Sequence, residues 1–370
     1  MRTTGALVLL ALVACGGSTP TVTHSPTPAS SASPLPNPTA GPASLVHCSA
    51  AVPAGDALVI GTVVGDPTIV VRDIQDPAHA RNLCTFDSSV LSPQFVSGSK
   101  VAYETADNQI IVADLAGGGT ALVATYSSGF DSGQYAFSAE GRSVTYLDTD
   151  GWHLISPSGH RILATLPAAP GRGVSANQDD SFLGFSPDGQ YIAYFQTFHV
   201  GGTGATAPDQ IRKASDGSLV YSASGMTMAV WASVPSRLFF RDQAGAVKRW
   251  DATSGVTSMS TINWVRPRAS PDGRWIAYTF PATGGVGAVG FYSVQANGVQ
   301  HTLPPGRSGP RFLTNDLVWY AGERACATCF GGQPQPTGVT YIYSIAGASE
   351  VTSRLGSVSD VWPRVTAPAL

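Results

Sequence analysis

Beyond about residue 57 the apolar positions fall in short runs, each closed by Gly, Pro, Asp, Asn or Ser. Residues 109–114 read Gln-Ile-Ile-Val-Ala-Asp, residues 120–124 Thr-Ala-Leu-Val-Ala, residues 217–221 Gly-Ser-Leu-Val-Tyr and residues 340–343 Thr-Tyr-Ile-Tyr. Runs of this length, rich in β-branched and aromatic residues and bounded by turn formers, predict β-strands. Residues 16–45 are the opposite: Pro, Ser and Thr dominate and large apolar side chains are almost absent. Such a stretch cannot offset its ordering entropy by burial, and its prolines favour an extended spacer.

One pair of runs recurs. Residues 185–194 read Phe-Ser-Pro-Asp-Gly-Gln-Tyr-Ile-Ala-Tyr and residues 269–278 Ala-Ser-Pro-Asp-Gly-Arg-Trp-Ile-Ala-Tyr; residues 137–146 are a softer copy, Phe-Ser-Ala-Glu-Gly-Arg-Ser-Val-Thr-Tyr. Degenerate copies end at residues 101–103, 238–240 and 317–320. The aromatic ends lie roughly 40–48 residues apart, the period of a four-stranded propeller blade. Within a copy, Pro sets φ at the first turn corner, Asp accepts from the turn backbone, and Gly takes the positive φ. Two further strands follow each pair. A blade of this kind has two apolar faces that only neighbouring blades can cover.

Ser-Pro-Asp-Gly-x-x-Ile-Ala-Tyr, followed by a strand ending in Asp, resembles the TolB-type repeat, also found in the propellers of prolyl oligopeptidases. Two copies match fully and four in part, together spanning most of the chain beyond residue 90. The resemblance implies an all-β propeller. Residues 57–86 supply three more strands without an inner one, and residues 360–365 supply a lone strand that parallels 264–269. One C-terminal plus three N-terminal strands complete a blade and remove the open sheet edges. The expectation is seven blades, with six as the alternative, over residues 46–370.

The first residues are a targeting segment. Arg2 supplies a positive start, residues 5–13 a short apolar stretch, and Leu12-Val13-Ala14-Cys15 resembles a bacterial lipobox. The stretch is too short to span a bilayer, which takes about 20 apolar residues. This predicts a signal peptide over 1–14, lipidation at Cys15, a linker over 15–45 and a domain displayed outside the cytoplasm on a membrane anchor. The alternative is an ordinary secretory signal with an incidental cysteine.

Charged residues make up 12% of the 370-residue chain, net charge is −3, and no lysine-rich run is present. This excludes a nucleic-acid binder of the usual basic kind. The sequence has no Gly-x-Ser-x-Gly elbow, His-Glu-x-x-His, P-loop or EF-hand loop, hence no cofactor signature. Two function classes remain: a module binding a protein, peptide or envelope ligand, and a propeller hydrolase or lyase with a metal in its channel. The enzyme requires acidic, Asn or His groups converging at inner strand ends, where Arg, Gln, Gly and aliphatics are read instead. No metal site is expected, and oligomeric state is not legible.

Candidate site residues come from two places. Aligned inner strands put Arg268, Arg311 and Arg364 at one position, each after a proline, with Gln94 after Pro93 in the next blade. They form either an arc for a carboxylate or phosphate or structural pairs with acids of adjacent blades. The connections between second and third strands at 196–208, 281–288 and 322–338 are long and share one side of the disc; the first holds Phe198 and His199. Long loops on a rigid scaffold carry binding or are tolerated insertions. His153, on a strand pattern, reads as a packed or surface residue. Cys48 and Cys84 flank the first strands, and Cys326 and Cys329 form a Cys-x-x-Cys in the long sixth-repeat loop. Export permits disulfides. Four cysteines allow three connectivities, with a local Cys326–Cys329 bridge the expectation for that motif.

Overall fold

The computed structural model describes residues 42–362, apart from 166–181, 196–208 and a number of shorter stretches. All belong to one unit, residues 34–370. The described residues form 29 strands and no helix. The strands open with Val46–Cys48 (β1), Leu58–Val63 (β2), Asp66–Asp73 (β3) and Arg81–Phe86 (β4). Blade one is Leu91–Ser97 (β5), Lys100–Glu104 (β6), Gln109–Asp114 (β7) and Thr120–Thr125 (β8). Blade two is Tyr135–Phe137 (β9), Val144–Asp148 (β10), Gly151–Ser156 (β11) and Gly159–Ala164 (β12). Blade three is Phe182–Phe185 (β13), Tyr191–Phe195 (β14), Asp209–Lys213 (β15) and Leu219–Ala223 (β16). Blade four is Thr227–Ala232 (β17), Arg237–Arg241 (β18), Val247–Asp251 (β19) and Gly255–Ser258 (β20). Blade five is Val265–Ala269 (β21), Trp275–Pro281 (β22), Gly287–Ser293 (β23) and Gly298–Thr302 (β24). Blade six is Arg307–Phe312 (β25), Leu317–Arg324 (β26), Gln335–Ser344 (β27) and Ser349–Ser353 (β28).

The last strand, Leu355–Trp362 (β29), is the inner strand of blade seven, in the order β29-β2-β3-β4-β1. The chain is therefore a seven-bladed propeller sewn shut by strands from both ends, and the six-bladed alternative is excluded. The closing blade has one strand more than the one-plus-three pattern. β1 adds to its outer edge, with Val46 opposite Phe86 and Cys48 opposite Cys84.

The turns explain why each blade starts as it does. Ser186 donates from Oγ to Asp188 at 2.6 Å and accepts from the Tyr191 amide at 2.9 Å, while Gly189 (φ 68°) donates to the Ser186 carbonyl. Ser270, Asp272, Gly273 and Trp275 repeat this arrangement. In the softer copy the serine is kept and Asp is lost: Gly141 still donates to the Ser138 carbonyl, and Ser143 to its hydroxyl. The buried serine is thus the constant part of the turn. Turns of neighbouring blades also touch, the Asp272 amide donating to Asn315 of blade six at 2.9 Å.

The apolar positions form one cluster per blade interface. Leu58, Ile60, Phe95, Val101 and Tyr103 join blades seven and one. Val96, Ala102, Phe137 and Tyr146 join one and two, and Trp152, Leu154, Ile192 and Tyr194 join two and three. Around the ring follow Phe195, Trp231, Phe240 and Trp250, then Phe239, Trp264, Tyr278 and Tyr292. Phe291, Phe312, Val318 and Tyr320 come next, and Val59, Leu313, Trp319, Leu355 and Val358 bring blade six onto blade seven. Burying one such side chain stabilises by about 1.5–3 kcal/mol. No blade carries a core of its own, so the ring is one cooperative unit.

Two expected features differ in detail. The long connection at 322–338 shortens to residues 325–334, because β26 and β27 run on as a hairpin with Arg324 opposite Gln335. A register shift between Ala321 and Glu323 lets Pro336 sit opposite Glu323. The last strand lies earlier than residues 360–365: it begins at Leu355 and sets Trp362 opposite Leu58, a register held by Leu355 and Val358 in the interface to blade six.

Cys48 and Cys84 are bridged, 36 residues apart in sequence. The bridge pins β1, which has a single strand neighbour, to β4. In the loop-entropy account a closure of this length is worth up to roughly 3–4 kcal/mol. Reduction, or Cys84→Ser, is expected to lower the denaturant midpoint by a matching amount with the strand signal in circular dichroism retained. An unchanged midpoint would show that the bridge carries no stability.

Candidate functional site

The inner strands of all seven blades line a central cavity of about 370 Å³. Its wall includes Ala139, Ser186, Pro187 and Pro271 from the first turns of blades two, three and five, so it reaches the face that carries the Ser-Pro-Asp-Gly turns. The connections between second and third strands lie on the other face.

A shared backbone device aims the polar side chains. In blades one, four, five and six a residue with positive φ stands two positions before the channel residue: Ser92 (45°), Met228 (50°), Arg266 (52°) and Gly309 (62°). The pairing slips there, between Leu91 and Gln94, Thr227 and Val230, Val265 and Arg268, and Ser308 and Arg311. Such bulges re-aim a side chain at a sheet's rim. The proline after the positive-φ residue in blades one, five and six is what made these positions recognisable in the sequence.

The equivalent position in blade seven belongs to Asp360. Arg268 stands opposite Ala277, Arg311 opposite Trp319 and Gln94 opposite Ala102, and in the sewn blade Asp360 stands opposite Ile60. In each pair the second-strand residue packs toward the following blade. The consecutive blades five, six, seven and one thus present Arg, Arg, Asp and Gln to one cavity. Arg364 lies outside the described residues.

These groups also tie the ring together. Asp360 Oδ2 accepts from the Phe95 amide at 2.7 Å, which binds the last strand to blade one. Gln94 donates from Nε2 to the Tyr135 carbonyl at 3.1 Å, which binds blade one to blade two. Arg268 donates to the Pro267 carbonyl at 2.7 Å. All four polar residues are engaged within the protein.

The opposite half of the wall is apolar. Tyr135 and Phe137 of β9, Leu183 and Phe185 of β13, and Val230 and Trp231 of β17 line the cavity while also packing in the blade interfaces. Trp231 donates from its indole to the Gly184 carbonyl at 3.2 Å, which fixes the ring across the blade boundary. The channel is therefore two-sided, with an aromatic wall on blades two to four and a charged wall of two guanidiniums and one carboxylate on blades five to seven.

The other expected residues separate. Phe198, His199, Cys15 and Cys329 lie outside the described residues. Cys326 is in a disulfide whose partner also lies outside them. A second charged cluster, on blade six, is internal: Arg307 meets Glu350 with two bonds of 2.8 Å, and Tyr320 donates to the same carboxylate. The hydrogen bond from Arg307 holds Glu350 below its ordinary value. Among the described residues, the donors close enough together for a metal ion are Asp148, Asp150 and His153 of blade two, outside this cavity.

The chain matches no protein-family model and no curated protein. Among solved structures it is similar to oligogalacturonate lyase from Vibrio parahaemolyticus, at 10% identity over 81% of this chain and 86% of that one, with a TM-score of 0.51. It is similar to an oligogalacturonate lyase in complex with manganese at 11% identity over 80% and 85%, TM-score 0.51, and to TolB from Acinetobacter baumannii at 18% over 84% and 65%, TM-score 0.44. The likeness is one of fold. It leaves the chemistry of the channel to this chain's own residues.

The aromatic wall and Asp360 were not among the residues marked from the sequence. The aromatics occur in strand patterns that also fill the blade interfaces. Asp360 becomes visible only once the register of β29 against β2 is known.

Proposed function

We propose that this chain is an exported, lipid-tethered binding module. Its channel takes one end of an anionic ligand with an apolar part, a peptide or an envelope polymer. The two-sided wall is the observation that carries the reading. Arg268 and Arg311 outnumber Asp360, so the charged wall favours a carboxylate or phosphate. The aromatic wall opposite takes an apolar body, as binding sites of this size usually require. The likeness to propellers of other functions does not favour a reaction over binding. The anchor rests on the Leu-Val-Ala-Cys pattern at residues 12–15 and the Pro/Ser/Thr-rich spacer behind it.

A second reading, a hydrolase or lyase with a metal in the channel, draws on the lyase whose structure carries manganese. The described cavity wall offers one carboxylate, Asp360, and neither imidazole nor thiolate. That donor set fits a channel metal poorly. Manganese bound stoichiometrically in the channel of the purified chain would put this reading first.

Capture of envelope components on the immobilised chain is the test of binding. Arg311→Glu is expected to weaken the specific capture at least about tenfold, the scale of a lost charge-assisted pair, with circular dichroism unchanged. Undiminished capture would make the arginines structural. Fractionation checks the tether: Cys15→Ser is expected to move the chain from membrane to soluble fractions, and continued membrane association would remove the anchor from the account.

A further inference from the structure

Blade two carries a cluster that the channel does not use. The β10–β11 hairpin reads Asp148-Thr-Asp150-Gly151-Trp-His153. Asp148 pairs with Gly151 and Tyr146 with His153 across the hairpin, so these residues share one face of the blade. A side chain at 151 would put its Cβ 2.5 Å from the Ala164 carbonyl, so glycine is required for the hairpin to lie this close to β12. Donor atoms of Asp148, Asp150 and His153 all lie within 4.8 Å of one another.

His153 is 4% exposed, yet both its ring nitrogens are engaged. Nε2 is 2.7 Å from Asp150 Oδ1, and Nδ1 is 2.9 Å from His160 Nε2. The Tyr146 ring lies parallel to both imidazoles, at 4.8 Å from His153 and 6.4 Å from His160. A metal-bound histidine is typically held in this way, its second nitrogen fixed by a neighbour and its ring plane locked by packing. With the Nδ1 proton on His153 donated to His160, the Nε2 lone pair faces Asp150 and is free to ligate a cation; in the other tautomer Nε2 donates to Asp150 and the cluster holds itself together without one.

The surroundings are acidic. Tyr126, on the segment leaving blade one, is hydrogen-bonded to Glu104 and lies near Asp148. Glu104 is 2% exposed. Asp148 takes the Ser127 amide of the segment leaving blade one at 2.9 Å, so the cluster lies against that blade. Asp150 is 60% exposed and opens the cluster to solvent.

We propose that Asp148, Asp150 and His153 form a binding site for a divalent transition-metal ion. One imidazole and two carboxylates suit zinc or its first-row neighbours better than calcium, which takes oxygen ligands alone. His160 is the positioning residue behind His153. Bound metal ties the two strands of the blade-two hairpin to each other and leaves a coordination position open on the face of the long second-to-third-strand connections.

The test is titration of the chelator-treated full chain with Zn²⁺ against a competing chelator, with Co²⁺ as a spectroscopic probe. One ion per chain is expected, with a Co²⁺ visible spectrum of mixed nitrogen–oxygen coordination. Asp150→Ala is expected to weaken binding at least about tenfold and abolish that spectrum; its side chain is exposed, and circular dichroism checks that the variant is folded. His47→Ala, which removes an exposed His–Asp pair elsewhere, is expected to leave both readings unchanged. Failure of the wild-type chain to bind Zn²⁺ at sub-millimolar concentration, or equal binding by Asp150→Ala, overturns the proposal.

Discussion

Every blade of this protein has two apolar faces and no core of its own. Each face becomes stable only when the next blade covers it, and the last face is covered only when the ring closes. The interface of blades six and seven contains Leu355 and Val358 of the final strand, and that of seven and one contains Leu58 and Ile60 of the first long strand. The two chain ends therefore meet in one blade. The β29–β2 ladder, the Phe95–Trp362 ring contact at 6.4 Å and the Asp360–Phe95 hydrogen bond close the circle. The outer strand β1 and its disulfide protect the edge of that same blade.

Closure also makes the channel. One inner strand per blade leaves one side chain per blade at each level, so a chemical pattern around the channel is a pattern of spacing along the chain. Repeated bulges turn Gln94, Val230, Arg268 and Arg311 toward the axis, and the sewn strand adds Asp360. The residues that hold the ring together and those that line the cavity are partly the same. Asp360 closes blade seven onto blade one while supplying the carboxylate of the charged wall. A ligand bound there as proposed would contact groups that hold the ring shut.

Much of the fold was legible because its signals are local. The Ser-Pro-Asp-Gly turns at 186–189 and 270–273 show themselves in four consecutive residues, and their spacing gives the blade. The missing inner strand before residue 90 and the lone strand at the end gave the closure. What was not legible depends on register. The likeness of Val-Trp-Pro-Arg at 361–364 to Val-Arg-Pro-Arg at 265–268 suggested Arg364 as the channel residue, whereas pairing with β2 sets Asp360 opposite Ile60. β1 has three residues, too few to carry a period. The Asp148–Asp150–His153 cluster needs a hairpin and a third strand to bring His160 behind His153, and a lone histidine in a strand pattern announces none of this.

Native-state hydrogen exchange resolved along the sequence tests the closure most directly. If the ring stands or falls as one unit, the amides of β29 and β2 exchange only through the global opening, with the same free energy and denaturant dependence as β6 and β22. Exchange of β29 through a separate, low-energy opening while β6 and β22 stay protected would contradict the account, because the remaining blades would then be stable without the strand that sews them shut.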